Sequence, residues 1–170
     1  QDASEVALIG NVGGVAFDAW YAQVNDTLDA TSIGANTSIA GVKIDARYSE
    51  LDMKDAYNKL LGVNAAGINS KSTLGKVVAS AKIGEVTLKA GYAQSGKHNG
   101  FAYNRIAIDN DNDAQSDFRL WQVSAGSVPD AKAFLIGAGI NVTPSIALTA
   151  DYVDVSGKIA AADADADDDD

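Results

Sequence analysis

Four short segments of this chain obey one rule. They are "VAFDAWY" from Val15, "VKIDARY" from Val42, "VTLKAGY" from Val86 and "IALTADY" from Ile146. At every second position each carries a branched aliphatic residue, a large apolar residue, Ala and finally Tyr. The intervening positions vary without pattern and collect Asp, Lys, Arg, Trp and Gly. A period of two places alternate side chains on opposite faces of a β-strand and does not fit a helix. The segments therefore require a sheet with two unlike faces, and the rule recurs at irregular spacing, which excludes a solenoid.

Each segment follows a turn signal, and before that another alternating run. "EVALIGN" leads into Gly13-Gly14, "SIGANTSI" into Ala40-Gly41, "LGKVVASAK" into Ile83-Gly84-Glu85, and "AKAFLIGAG" into "NVTPSI". Gly supplies the positive φ of tight hairpins, and Thr-Pro-Ser suits a slightly longer turn. The pattern predicts an all-β chain of four consecutive hairpins, about eight antiparallel strands over residues 1–162, followed by an acidic tail over 163–170. Between hairpins the connections are of another kind. Residues 26–31 are a short polar link, whereas 52–72 and 95–117 are long and polar. Tight turns at one end and longer loops at the other are the wiring of a transmembrane β-barrel. A soluble sandwich has no reason to sort its loops in this way.

Composition agrees where it bears on the question. Only two prolines, Pro129 and Pro144, interrupt the potential for hydrogen-bonded ladders, and no cysteine is present, so disulfides and thiolate metal sites are excluded. No apolar run approaches the roughly 18 residues of a membrane helix, which leaves a membrane barrel untouched. The net charge of −10 argues against nucleic acid as a partner. Gln1-Asp2-Ala3-Ser4 has no leader character and reads as a mature or internal start.

The plain apolar face with small Ala suits lipid. Its terminal Tyr21, Tyr48, Tyr92 and Tyr152 fall six residues past each turn, roughly 20 Å along the strand. That places them as an interfacial aromatic girdle on the long-loop side. The opposite face would look into water, and its Asp18, Lys43, Asp45, Arg47, Lys89 and Asp151 are the candidate pore-lining residues. Opposed charges across a lumen create a transverse field that sorts solutes. Ala16, Thr87, Gly91 and Ala147 on that face leave room for an open lumen. Trp20 and Trp121 are expected at the girdle or an interface.

The segments "GVKIDARYSELD", "VTLKAGYAQSGKH", "AIDNDNDAQSDFRLWQ" and "DAKAFLIGAGINVTPSIALTADYVDVSGK" together resemble the major outer-membrane porins of Campylobacter-type (epsilonproteobacterial) bacteria. The resemblance spans more than half of the chain and rests on diffuse strand patterns. It implies a general-diffusion channel in the bacterial outer membrane, usually a homotrimer, passing small hydrophilic solutes. Such porins are much longer and end on a strand with a terminal aromatic residue. This chain ends on acidic residues, so the resemblance implies a piece, from the C-terminal half.

Catalysis finds no support. His98 is the single histidine, and with no cysteine there is no triad, so no enzyme and no organic cofactor are expected. The acidic stretch "DNDND" spaces Asp109, Asp111 and Asp113 at alternate positions, a pattern able to wrap Ca²⁺. It is not an EF-hand, because Ala114 stands where Gly is required and Leu120 where a bidentate Glu belongs. Bound Ca²⁺, a salt bridge to Arg105 or Arg119, or plain solvation would each relieve the repulsion there. Two further functions stay open: a small self-contained eight-stranded barrel with a structural or adhesive role, and a soluble Ca²⁺-binding all-β module.

Overall fold

A computed structural model describes residues 2–54, 71–97 and 130–157. They form eight strands: β1 (Ala3–Val12), β2 (Val15–Val24), β3 (Leu28–Ile39), β4 (Val42–Met53), β5 (Lys71–Ile83), β6 (Val86–Ser95), β7 (Lys132–Thr143) and β8 (Ile146–Ser156). All neighbours pair antiparallel in one sheet of order β1-β2-β3-β4-β5-β6-β7-β8. The architecture is thus all-β, a meander of four hairpins. Strands β1 and β8 do not pair with each other, so the sheet is open.

The turn chemistry explains the hairpins. Gly13 and Gly14 have φ of 59° and 83°, and Ala40 and Gly41 have φ of 50° and 82°. Positive φ at both central residues is the type I′ turn, whose twist matches that of the flanking strands. Gly84 has φ of 60° ahead of Glu85, the arrangement of type II′. Ala40 carries a Cβ in the left-handed region, where Asn is better tolerated. Ala40→Asn should therefore stabilise the protein by about 1 kcal/mol, read as a higher denaturant midpoint at unchanged slope.

Two connections differ from expectation. The link expected over residues 26–31 shrinks to Asn25–Thr27, because β3 already begins at Leu28, which is buried together with Ala30. The Thr-Pro-Ser turn is no longer than the others: Pro144 and Ser145 form a two-residue turn, and the irregularity moves into a bulge between Asn141 and Thr143.

The register carries a regular shear. Val15 lies in one cross-strand row with Thr37 and Ile44, Val42 with Ala81 and Leu88, and Val86 with Ile140 and Leu148. Each hairpin thus steps two residues along the strand relative to the last. Two residues are about 6.6 Å and two strand spacings about 9.6 Å, so turns kept level require strands tilted by about 35°. That is the tilt at which barrels close.

Candidate functional site

Two faces with opposite character follow from the alternation. The outer face bears Val42, Ile44, Ala46 and Tyr48 on β4; the inner face bears Lys43, Asp45 and Arg47. Among the described residues, every large apolar residue that is strongly exposed lies on the outer face, apart from Ile9 and the bulge residue Val142. Among them are Leu8, Ile33, Leu88, Ile136 and Leu148, so the band runs from one edge of the sheet to the other.

Tyr21, Tyr48, Tyr92 and Tyr152 stand on this outer face at equal distance from their turns. Tyr48 and Tyr152 are 49% and 62% exposed, whereas Tyr92 packs against Phe134 in a tilted arrangement with ring centroids 4.9 Å apart. Two of the hydroxyls reach polar partners on the loop side: Tyr21 donates to Asp29 Oδ1 at 3.3 Å and Tyr92 to Gln94 Oε1 at 2.9 Å. An apolar ring with a wet tip is the form that settles at an interface.

At the tyrosines both faces invert. Beyond Tyr48 the outer face continues as Glu50 and Asp52, while the inner face continues as Ser49, Leu51 and Met53. The same exchange follows Tyr21 (Gln23 outside; Ala22 and Val24 inside), Tyr92 (Gln94; Ala93) and Tyr152 (Asp154; Val153 and Val155). The outer polar collar is laced by Lys71, which pairs with Glu50 at 3.0 Å and Asp52 at 3.9 Å, and by Lys54 with Asp29. The hydrogen bond to Asp29 holds the Lys54 ammonium above the ordinary lysine range. On the inner face of the same region Leu28, Ala30, Leu51, Met53, Leu74, Ala93, Ala133 and Leu135 form a dry cluster.

This corrects two expectations. The inner face is open to water only over its turn-side half; its loop-side half is buried and largely apolar. Trp20 is not a girdle residue: it lies on the inner face, packed against the dry cluster. Gly91 sits between Val78 and Leu135 in its cross-strand row, at the border of that cluster.

Within the turn-side half, four of the six candidate charges form two ion pairs of one design. Arg47 on β4 reaches across β3 to Asp18 on β2, with Nη1 and Nη2 each 2.8 Å from a carboxylate oxygen. Nη1 also donates to Ser32 Oγ at 2.8 Å, and Ser32 shares a hydroxyl hydrogen bond of 3.0 Å with Ser49. Lys89 on β6 reaches across β7 to Asp151 on β8, Nζ to Oδ1 3.1 Å. In each case the residue crossed is glycine, Gly34 and Gly137, directly between the partners in register. A Cβ at Gly34 would stand 2.4 Å from Arg47 Nη2, and at Gly137 one would overlap the Asp151 carboxylate. The glycines are saddles over which the cations lie. Their positions in mid-strand, where Gly otherwise weakens a ladder, were the signal by which the alternation alone could have marked a close approach.

Lys43 and Asp45 are exposed toward the turns and make no ion pair among the described residues. Lys76, which the spacing argument missed, is buried beside Arg47 in the same row. Asp109, Asp111 and Asp113, with Arg105, Arg119, His98, Trp121 and the tail over 163–170, lie outside the described residues. Among the described residues no three His, Asp or Glu side chains gather closely enough to hold a metal. Neither the family models nor the curated proteins yield a match to the chain.

Proposed function

We propose that the chain is wall from an outer-membrane channel that passes small hydrophilic solutes and ions by diffusion. The observation that carries this reading is the apolar band on the outer face, unbroken across all eight strands and closed by tyrosines at one offset from the turns. In water such a surface would drive association, since monomeric proteins rarely expose contiguous apolar patches beyond a few hundred Å². In a bilayer it is the surface required. The polarity inversion supports the same placement: below the tyrosines the outside is dry and the inside charged, and above them a wet exterior covers a packed interior. The shear and the resemblance to porins both agree. No step of chemistry is involved; the wall excludes lipid and offers solutes a charged path.

The dry inner cluster favours one other reading, a self-contained barrel plugged at its loop end. Conductance separates the two. Purified protein reconstituted into a planar bilayer should produce stepwise ion currents, and Lys43→Gln should shift reversal potentials toward cation preference. Inserted protein that leaves the membrane silent would leave the plugged barrel standing. Release of the protein from cell envelopes without detergent would instead favour the soluble Ca²⁺-binding module.

A further inference from the structure

On the inner face, at the turn end of β5 to β8, lies a hollow of about 260 Å³. Two adjacent cross-strand rows build it: Lys82, Thr87, Gly139 and Thr149 in one, Lys89 and Asp151 in the other. Its floor is kept low by Gly139, where a Cβ would approach Thr149 Cγ2 to 3.3 Å. Its size is below the roughly 300–1,000 Å³ of pockets for drug-sized ligands, so it holds one small molecule.

The charge around it is of both signs and loosely committed. Lys82 Nζ stands 3.8 Å from Glu85 Oε2, with side chains 60% and 74% exposed. Lys89 and Asp151, at 3.1 Å, are 38% and 30% exposed. Exposed pairs of this kind are weak and exchange partners readily. A lone anion drawn to the lysines would meet Asp151 and Glu85, and a lone cation drawn to the carboxylates would meet the lysines. A molecule with its own ammonium and carboxylate satisfies both sets at once, and the Thr87 and Thr149 hydroxyls supply hydrogen bonds between them.

We infer that this hollow is a binding station for small zwitterions, of the size of an amino acid or dipeptide, on the wall of the proposed channel. The inference rests on the reading of the inner face as a solute path. Glycylglycine is the probe, with acetate and glycinamide as its singly charged counterparts. In single-channel recordings millimolar glycylglycine should interrupt the current, at a concentration at least tenfold below that needed with either counterpart. Gly139→Val, which fills the hollow, should raise the blocking concentration at least tenfold. The exposed double replacement Lys82→Gln/Glu85→Gln, which leaves the backbone untouched, should raise it several-fold.

Calorimetry on detergent-solubilised protein reads the hollow whether or not the protein conducts. Glycylglycine binding that both variants weaken, in a protein that carries no current, would end the channel reading and keep the hollow. Current without glycylglycine block or binding would overturn the hollow and keep the channel. Equal effects of all three probes, or a block that neither variant changes, would also overturn it.

Discussion

Ile44→Arg should destabilise the protein in lipid by about 2–4 kcal/mol, whereas Asp45→Arg, one residue further on, should change stability by less than about 1 kcal/mol. The two positions differ in height by a single residue and in facing by a half-turn of the strand. Ile44 belongs to the outer band between Val42 and Tyr48, two residues past its turn. A guanidinium there must be carried into hydrocarbon or drag water with it. Asp45 is exposed on the charged face, where a cation meets water and carboxylates. Denaturant titration of protein refolded in lipid vesicles measures both variants. Equal costs at the two positions would mean that the outer face does not touch lipid, and the same outcome in detergent-free buffer would favour the soluble module.

Gly34→Ala should cost about 2 kcal/mol, and Gly137→Ala less than about 1 kcal/mol, although both glycines carry the same kind of ion pair. The difference lies in what has to move. At Gly34 the obstructing group is the Arg47 guanidinium, whose side chain is only 9% exposed and is held by two bonds to Asp18 and one to Ser32. A methyl group at Gly34 displaces it and sacrifices charge-assisted bonds in a nearly dry setting. At Gly137 the groups in the way are the Asp151 carboxylate and the flexible stem of Lys89, 30% and 38% exposed, and both can swing aside into water. In a conducting channel Gly34→Ala should also raise anion preference, because the displaced guanidinium turns toward the lumen. Equal destabilisation by the two substitutions would show that glycine is required there for the backbone and not for the crossing cation.

The hairpins were legible because period-two alternation is all that a sheet with two unlike faces demands of its sequence. Val42, Ile44, Ala46 and Tyr48 declare their face without reference to any partner, and Gly13-Gly14 and Ala40-Gly41 declare the turns. The saddles were only half legible: a mid-strand glycine hints at a close approach, but the side chain that needs Gly34 or Gly137 sits on a neighbouring strand, 13 or more positions along the chain. The dry cluster hid for another reason. Leu51 and Met53 continue the same alternate series as Lys43, Asp45 and Arg47, so a reading that assigns each face one character for its whole length overruns the tyrosine. In "ARYSELDM" the exchange is written plainly, but only the burial of Leu51 and Met53 gives it meaning.

The shear of two residues per hairpin sets the two crossed ion pairs aslant to the wall. Asp18 stands three residues past its turn and Arg47 five past its own, so the anion of the first pair is nearer the turns by about 5 Å. In the second pair Lys89 is three residues past its turn and Asp151 five, so there the cation is nearer. The two axial dipoles therefore oppose each other and leave this wall with a quadrupole. A channel lined by it would turn dipolar solutes sideways as they pass, while these pairs give ions no preferred direction. Reversing only one pair, Asp18→Arg with Arg47→Asp, would align the dipoles and make the current rectify.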